Sequence, residues 1–171
     1  MKKVFFILTA TVFASCGTEP GKTDERQELI AHIDSLNKKM FNQQTIEFDK
    51  SLALKGAEAY HQFAEKYPSD SLTAEYMFCM ADLYKGLADY NKAIQTLADI
   101  CKKYPDYKKV PESIFLQGFY YQEYFGDTAS AHIYYRELLA KYPSHPFAKD
   151  AGVLLTKTDE EIYKSFEEKK P

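Results

Sequence analysis

The chain has 171 residues, of which 45% are hydrophobic, with 14 Tyr and 12 Phe but no Trp. A chain of this length buries roughly 70% of the surface that its unfolded state exposes, so it can form a core without metals or disulfides. The hydrophobic content excludes an intrinsically disordered protein. The formal net charge is −3, or −5 without Lys2 and Lys3, which is the wrong sign for binding nucleic-acid phosphates.

The first elements of the chain form an N-terminal leader. After two lysines, an apolar run occupies residues 4–14 and is followed by Ser15 and Cys16. This pattern predicts a signal peptide over residues 1–15, and the run is too short for a spanning helix, which needs about 20 apolar residues. Residues 16–25 lack apolar periodicity and predict a flexible tether, so the helical domain is predicted to occupy residues 26–171.

The segment Phe13-Ala14-Ser15-Cys16 resembles the lipobox of bacterial lipoproteins, in which a lipidated cysteine becomes the new N-terminus. The resemblance implies lipidation of Cys16. It also implies an outer-membrane location facing the periplasm. In enteric lipoproteins an Asp directly after the lipidated cysteine resembles an inner-membrane retention signal, and this chain has Gly17 at that position. Several acyl chains anchor a protein almost permanently, since each buried methylene contributes about 0.8 kcal/mol. The alternative is an ordinary secretory leader, which would leave Cys16 as a free thiol or a disulfide partner.

An internal repeat follows the leader. The tripeptide Lys-Tyr-Pro occurs three times, with its tyrosines at Tyr67, Tyr104 and Tyr142, spaced by 37 and 38 residues. A period in this range indicates a solenoid of stacked units. Before each tripeptide, a small residue is followed by large apolar residues four and seven positions later. This spacing places all three on one face of a helix. These residues are Gly56, Tyr60 and Phe63, then Ala93, Leu97 and Ile100, then Ala131, Tyr135 and Leu138.

The prolines and caps of the repeat mark where helices begin and end, and they predict four antiparallel helix pairs and an all-α fold. Prolines after each tyrosine stop helices, whereas Pro111 and Pro146 suit first turns, where no amide donor is needed. Asp89 and Asp127 are predicted N-caps, and Thr158 forms a capping box with Glu161. The predicted helices are 26–42 with 48–66, 71–87 with 90–103, 111–125 with 128–141, and 146–156 with 159–168.

Residues at corresponding positions of the repeat resemble the tetratricopeptide repeat (TPR) over roughly residues 45–156. They are Ala81 and Gly118, Tyr84 and Tyr121, Ala93 and Ala131, and Pro105 and Pro143. The resemblance implies a TPR-type α-solenoid of about three to four repeats, in which the first helix of each pair lines a concave groove.

In that groove, apolar side chains would anchor an extended peptide or a partner helix and carboxylates would fix its orientation. The candidate groove residues are Glu75, Phe78, Asp82, Lys85, Glu112, Phe115, Phe119 and Gln122. For Phe78 and Phe115, packing between repeats is the alternative.

With the lipobox, the repeat resembles the TPR lipoprotein of the outer-membrane β-barrel assembly machinery. The C-terminal repeats of the periplasmic Tol-Pal coordinator look similar. The resemblance implies a membrane-anchored scaffold that binds envelope proteins, in outer-membrane protein assembly or, alternatively, in coordinating cell-wall synthesis or division. The membrane would be contacted through the lipid alone.

No catalytic, metal or cofactor site is predicted. The four histidines, His32, His61, His132 and His145, lie on different helices or loops, which argues against a zinc site. No Ser-His-acid combination or Gly-rich phosphate loop is recognised, so we expect a protein that is not an enzyme, with a hydrolase or small-ligand binder as the third alternative. Cys79 and Cys101 are either packed free thiols or a disulfide.

Overall fold

The computed structural model describes residues 20–41 and 48–156, and within these ranges it contains seven α-helices and no strand. The all-α fold is therefore confirmed. The leader, Cys16 and the helix predicted at 159–168 lie outside the described residues. The helices are α1 (Pro20–Phe41), α2 (Lys50–Lys66), α3 (Thr73–Gly86), α4 (Tyr90–Lys103), α5 (Val110–Phe125), α6 (Thr128–Lys141) and α7 (Pro146–Thr156).

Helix α1 begins at Pro20, six residues before the predicted start, so residues 20–25 of the expected tether are helical. Its N-terminal turns are held by charge: Glu25 pairs with Lys66, and the Arg26 Nε lies 2.6 Å from the Asp70 Oδ2. These pairs join α1 to the end of α2 and the turn after it. A search for apolar periodicity has no means of detecting such a segment.

Each second helix of a described pair starts from an aspartate N-cap. The carboxylates of Asp49, Asp89 and Asp127 accept hydrogen bonds from the backbone N–H three residues later, at 3.0–3.2 Å. This satisfies an amide that has no partner inside the helix. The caps predicted at Asp89 and Asp127 are confirmed, and Asp49 adds a third.

The turn within each of the two middle pairs contains a residue in the left-handed backbone conformation. Gly126 closes α5 with φ 63°, as glycine does most easily, whereas Ala88 holds φ 61° in the turn between α3 and α4. For a residue with a side chain this conformation costs roughly 1–2 kcal/mol. The two turns therefore reverse the chain in the same way although only one carries glycine.

The helices stack in chain order, with each one packed mainly on its sequence neighbours. The core runs the length of the stack and is built from the apolar stripes of the repeat, including Phe63, Ile100, Tyr135 and Leu138, which are fully buried. One polar contact joins successive repeats at their ends, where the Tyr104 hydroxyl donates to the Pro68 carbonyl at 2.9 Å. Adjacent repeats are therefore linked by both packing and hydrogen bonding.

Across residues 20–41 and 48–156, no helix is both long enough and apolar enough to cross a membrane.

Candidate protein-binding surface

The eight predicted groove residues lie on α3 and α5, the first helices of two successive pairs, and we call them the first-helix face. Asp82 and Lys85 are exposed, while Phe78 is only 5% exposed. The other members are half-buried: Glu75, Glu112, Phe115, Phe119 and Gln122. The face therefore contains two accessible charged side chains within a partly covered surface.

Glu75 is at the centre of a polar junction between α3 and the start of α5. Its carboxylate accepts hydrogen bonds from the Lys109 Nζ and from the Tyr107 hydroxyl, both at 2.7 Å. Burial disfavours the charged carboxylate, but these two donors outweigh burial and lower the pKa of Glu75. For Lys109, burial acts against the charge and the bond to Glu75 prevails, so its pKa is raised. The pair is thus ionised at neutral pH.

Phe78 is covered by that same junction. The Lys109 Nζ lies 4.4 Å from the centre of the Phe78 ring, and the Tyr107 ring packs at 6.5 Å. A lysine over an aromatic ring is attracted by the ring quadrupole. Phe78 therefore serves as packing between repeats, and in this arrangement its ring is closed to a partner.

Phe115, which corresponds to Phe78 in the next repeat, is surrounded by aromatic rings. It stacks on Phe147 of α7 at 4.8 Å and contacts Tyr135 of α6 at 5.8 Å and Phe119 at 6.3 Å. These contacts fasten α5 to α6 and α7. Of the three phenylalanines on the face, Phe119 is the half-buried ring that remains as a candidate anchor.

The remaining polar members differ in how far they are engaged. Gln122 accepts a hydrogen bond from the Tyr135 hydroxyl at 3.1 Å, so it holds a buried side chain in place. Asp82 has an accessible side chain, yet the protein around its carboxylate removes enough water to raise its pKa, against the attraction of Lys85 and Lys109. A cationic group of a partner placed at Asp82 would relieve this cost.

A groove of about 470 Å³ lies elsewhere, between α2 and α4, and none of the eight residues lines it. We call it the second-helix groove. Its floor comes from α3, and its walls come from the two second helices and the turns that follow them. The residues are His61, Ala64, Glu65, Pro68, Met77, Met80, Tyr84, Lys92, Gln95, Thr96, Asp99, Lys103 and Tyr104. Sequence reasoning did not identify this groove.

The cysteines and potential metal ligands are dispersed. Cys79 and Cys101 are free thiols, and burial raises the pKa of Cys101 to about 11. Cys79 interacts with Tyr60, whereas Cys101 contacts the Gln117 amide at 3.7 Å, so the two thiols face different neighbours. Within the described part of the chain, no three His, Cys, Asp or Glu side chains are grouped to hold a metal ion.

Two segments of the chain, residues 75–107 and 112–145, match a family model described as tetratricopeptide repeat. Each segment contains most of one first helix and the following second helix. A search of curated proteins finds no match. TPR domains bind peptide or protein partners and are typically scaffolds without catalytic activity. The described residues form an all-α solenoid of the TPR type, and two of its helix pairs match the family model.

Proposed function

We propose that this protein is a scaffold of the bacterial cell envelope that binds partner proteins on its first-helix face, in the assembly of outer-membrane proteins. The observation that carries the proposal is the accessible part of this face. The Glu75–Lys109 pair ties α3 to the start of α5. On these two helices Asp82 and Lys85 are exposed and Phe119 is half-buried, so all three can be reached by a partner. Accessible charges on one helix and an aromatic ring on the other suit a peptide or helix that carries complementary groups.

The anchor in this proposal is a lipid on Cys16. Because α1 begins at Pro20, only three residues separate the helix from the proposed lipid-bearing cysteine. At about 3.5 Å per residue, the chain between Cys16 and Pro20 spans no more than about 14 Å. The stack would therefore be held against the membrane surface.

Replacement of Cys16 tests the anchor. In cells labelled with a palmitate analogue, the wild type is expected to carry label and sediment with membranes, whereas the Cys16→Ser variant is unlabelled and released. Cys79→Ser is the matched control, since it removes a thiol inside the fold. An unlabelled wild type would refute lipidation and leave the binding face to be tested separately.

Site-specific photo-crosslinking tests the face. A photoreactive phenylalanine at Lys85 is expected to capture components of the outer-membrane assembly machinery in living cells. Position Ile133, which is 62% exposed on α6, is the matched control. In the variant that carries the photoreactive residue at position 85, the charge reversal Asp82→Lys should abolish capture without unfolding, because the Asp82 side chain is exposed. The same captured proteins from both positions, or capture that survives charge reversal, would reject the face.

A further inference from the structure

The second-helix groove has a counterpart one repeat further along the chain. Residues of α5 correspond to those of α3 with a shift of 37, and residues of α6 correspond to those of α4 with a shift of 38. Tyr84 on the groove floor thus corresponds to Tyr121, and Thr96 on the groove wall corresponds to Tyr134. The two spaces can be compared position by position.

In the counterpart, the protein supplies its own aromatic ring. Tyr134 stacks on Tyr121 with ring centres 5.6 Å apart and planes inclined by 13°. Cys101, which corresponds to Ala64 of the groove wall, is close enough to Tyr134 to affect its pKa. The space between α4 and α6 is therefore occupied by a phenol ring lying on the floor tyrosine.

The second-helix groove lacks that ring because Thr96 stands in its place. The Thr96 hydroxyl donates to the Lys92 carbonyl of its own helix at 2.7 Å, and threonine has no ring that could stack on Tyr84. The Lys92 Nζ lies 5.3 Å from the centre of the Tyr84 ring and is also paired with Asp89 at 2.9 Å. An exposed contact of this kind contributes only about 0.5–1 kcal/mol, so an incoming ring can displace it.

The lysines around the groove are paired with carboxylates, whereas one carboxylate has no lysine partner among the described contacts. Lys92 is paired with Asp89, and Lys103 with Asp99 at 3.0 Å. The Glu65 carboxylate lies 3.4 Å from the His61 Nε2, and this contact is an ion pair only when the imidazole is protonated. Glu65 is 68% exposed, so its carboxylate is the rim charge most accessible to a cation.

We propose that the second-helix groove binds a segment of a partner polypeptide that carries an aromatic side chain next to a basic one. The aromatic ring stacks on Tyr84 above Met77 and Met80, in the position that Tyr134 occupies one repeat later. The basic side chain pairs with Glu65. Methionines suit this floor because the thioether is flexible and packs favourably against rings. The site is separate from the first-helix face, and neither depends on the other.

Short peptides and a groove-filling variant test this proposal. The probe is the hexapeptide Gly-Ser-Phe-Lys-Ser-Gly, with Phe→Ala and Lys→Glu versions as controls, titrated into the folded chain and followed by NMR. The Phe-Lys peptide should shift the signals of Met77, Met80 and Tyr84. The Phe→Ala peptide should bind about tenfold more weakly, because the loss of a buried ring removes at least 1.4 kcal/mol.

Thr96→Tyr copies the counterpart and should close the groove with the protein's own ring. Its melting temperature should match or exceed that of the wild type, while binding of the Phe-Lys peptide falls about tenfold or more. Thr96→Val, which keeps the size of threonine, should bind like the wild type. Unchanged peptide binding by a folded Thr96→Tyr variant would overturn the proposal, as would the absence of shifts at the groove in the wild type.

Glu65→Lys provides a second, independent test on an exposed residue that the fold does not need. It should reverse the preference, so that the Phe-Glu peptide binds more tightly than the Phe-Lys peptide. This test decides the proposal even if Thr96→Tyr fails to fold. An unchanged preference would show that the rim does not select a basic group.

Discussion

The pairs α3–α4 and α5–α6 share one backbone plan but fill it with different side chains. Inside the first pair, Ala81 on α3 is matched by Leu97 on α4, and inside the second, the corresponding positions hold Gly118 and Tyr135. Toward the following repeat, Lys109 covers Phe78, whereas the corresponding residue Phe147 covers Phe115. The same spaces are thus occupied by different combinations of size and charge.

This difference shows how one repeat can leave space for a side chain of a partner while the next repeat fills the corresponding space with its own rings. In α5–α6, rings fill both the contact to α7 and the space above Tyr121. At the corresponding positions one repeat earlier, Lys109 covers Phe78 and pairs with Glu75, and Thr96 leaves the volume above Tyr84 unfilled. The sites that we propose for partners accordingly centre on α3.

The largest expected effect on the free energy of unfolding comes from replacing Gly118, the small residue within the pair α5–α6. A Cβ on Gly118 would lie 2.7 Å from the Tyr135 Cε1 and 3.1 Å from the Ala131 carbonyl oxygen. Tyr135 is fully buried and cannot move aside, so Gly118→Ala should lower the free energy of unfolding by about 2 kcal/mol. Tyr135→Leu, which copies Leu97, should remove most of this penalty, as a double-mutant cycle in urea would reveal.

Gly152→Ala is the matched control for that exchange. Gly152 is also helical, but a Cβ there meets no atom within 4 Å. This substitution should be neutral or stabilise by up to about 1 kcal/mol, because alanine has the higher helix propensity. Equal effects at the two glycines would contradict the close approach of α5 and α6.

An intermediate effect is expected at the junctions between repeats. Lys109→Met removes the pair with Glu75 and should cost about 1 kcal/mol at low salt and less at high salt. The pKa of Glu75 is lowered by folding, so this contribution is present above its ordinary value of 4.5 and is lost as the pH falls through the lower folded value. Unfolding at several salt concentrations and pH values checks both expectations.

Phe147→Leu is the comparison for the second junction. It removes ring stacking on Phe115 and should destabilise the protein to the same extent at all salt concentrations, because no charge is involved. If Lys109→Met also proved insensitive to salt, packing of the lysine stem rather than its charge would account for the first junction.

The smallest effect is expected at Asp82. Its pKa is raised, chiefly by burial, so the folded state takes up a proton more readily than the unfolded chain and gains stability as the pH falls through the raised value. The cost of the charged form is therefore present at pH 7. Asp82→Asn should raise the melting temperature slightly at pH 7 and leave it unchanged near pH 3, and a rise of the same size at both pH values would exclude this explanation.

The helices of the repeat were predictable because their signals are local. Apolar spacing, prolines and the caps Asp89 and Asp127 act within a few residues of where they stand, and the structure places α3 to α7 within three residues of the predicted bounds. The start of α1 was not predictable in this way. It depends on Arg26 and Glu25 reaching residues more than 40 positions away.

The state of the face was harder to predict than the fold. A phenylalanine at the position of Phe78 or Phe115 fits an exposed anchor and a packed ring equally well by spacing. The residues that cover them, Lys109 and Phe147, share no chemical character, so nothing in the pattern indicates that both act as covers. The second-helix groove was missed because only positions that resemble one another were compared, whereas the groove arises where Thr96 and Tyr134 differ.

The hydrogen bond from Tyr104 to the Pro68 carbonyl joins the C-terminal ends of α2 and α4, and both residues line the second-helix groove. One end of the second-helix groove is therefore held by a hydrogen bond to a backbone carbonyl. Lys92, a long and exposed side chain, lies at the other end. We therefore expect the second-helix groove to widen at the Lys92 end when it admits a large side chain, because the hydrogen bond holds α2 and α4 together at the other end.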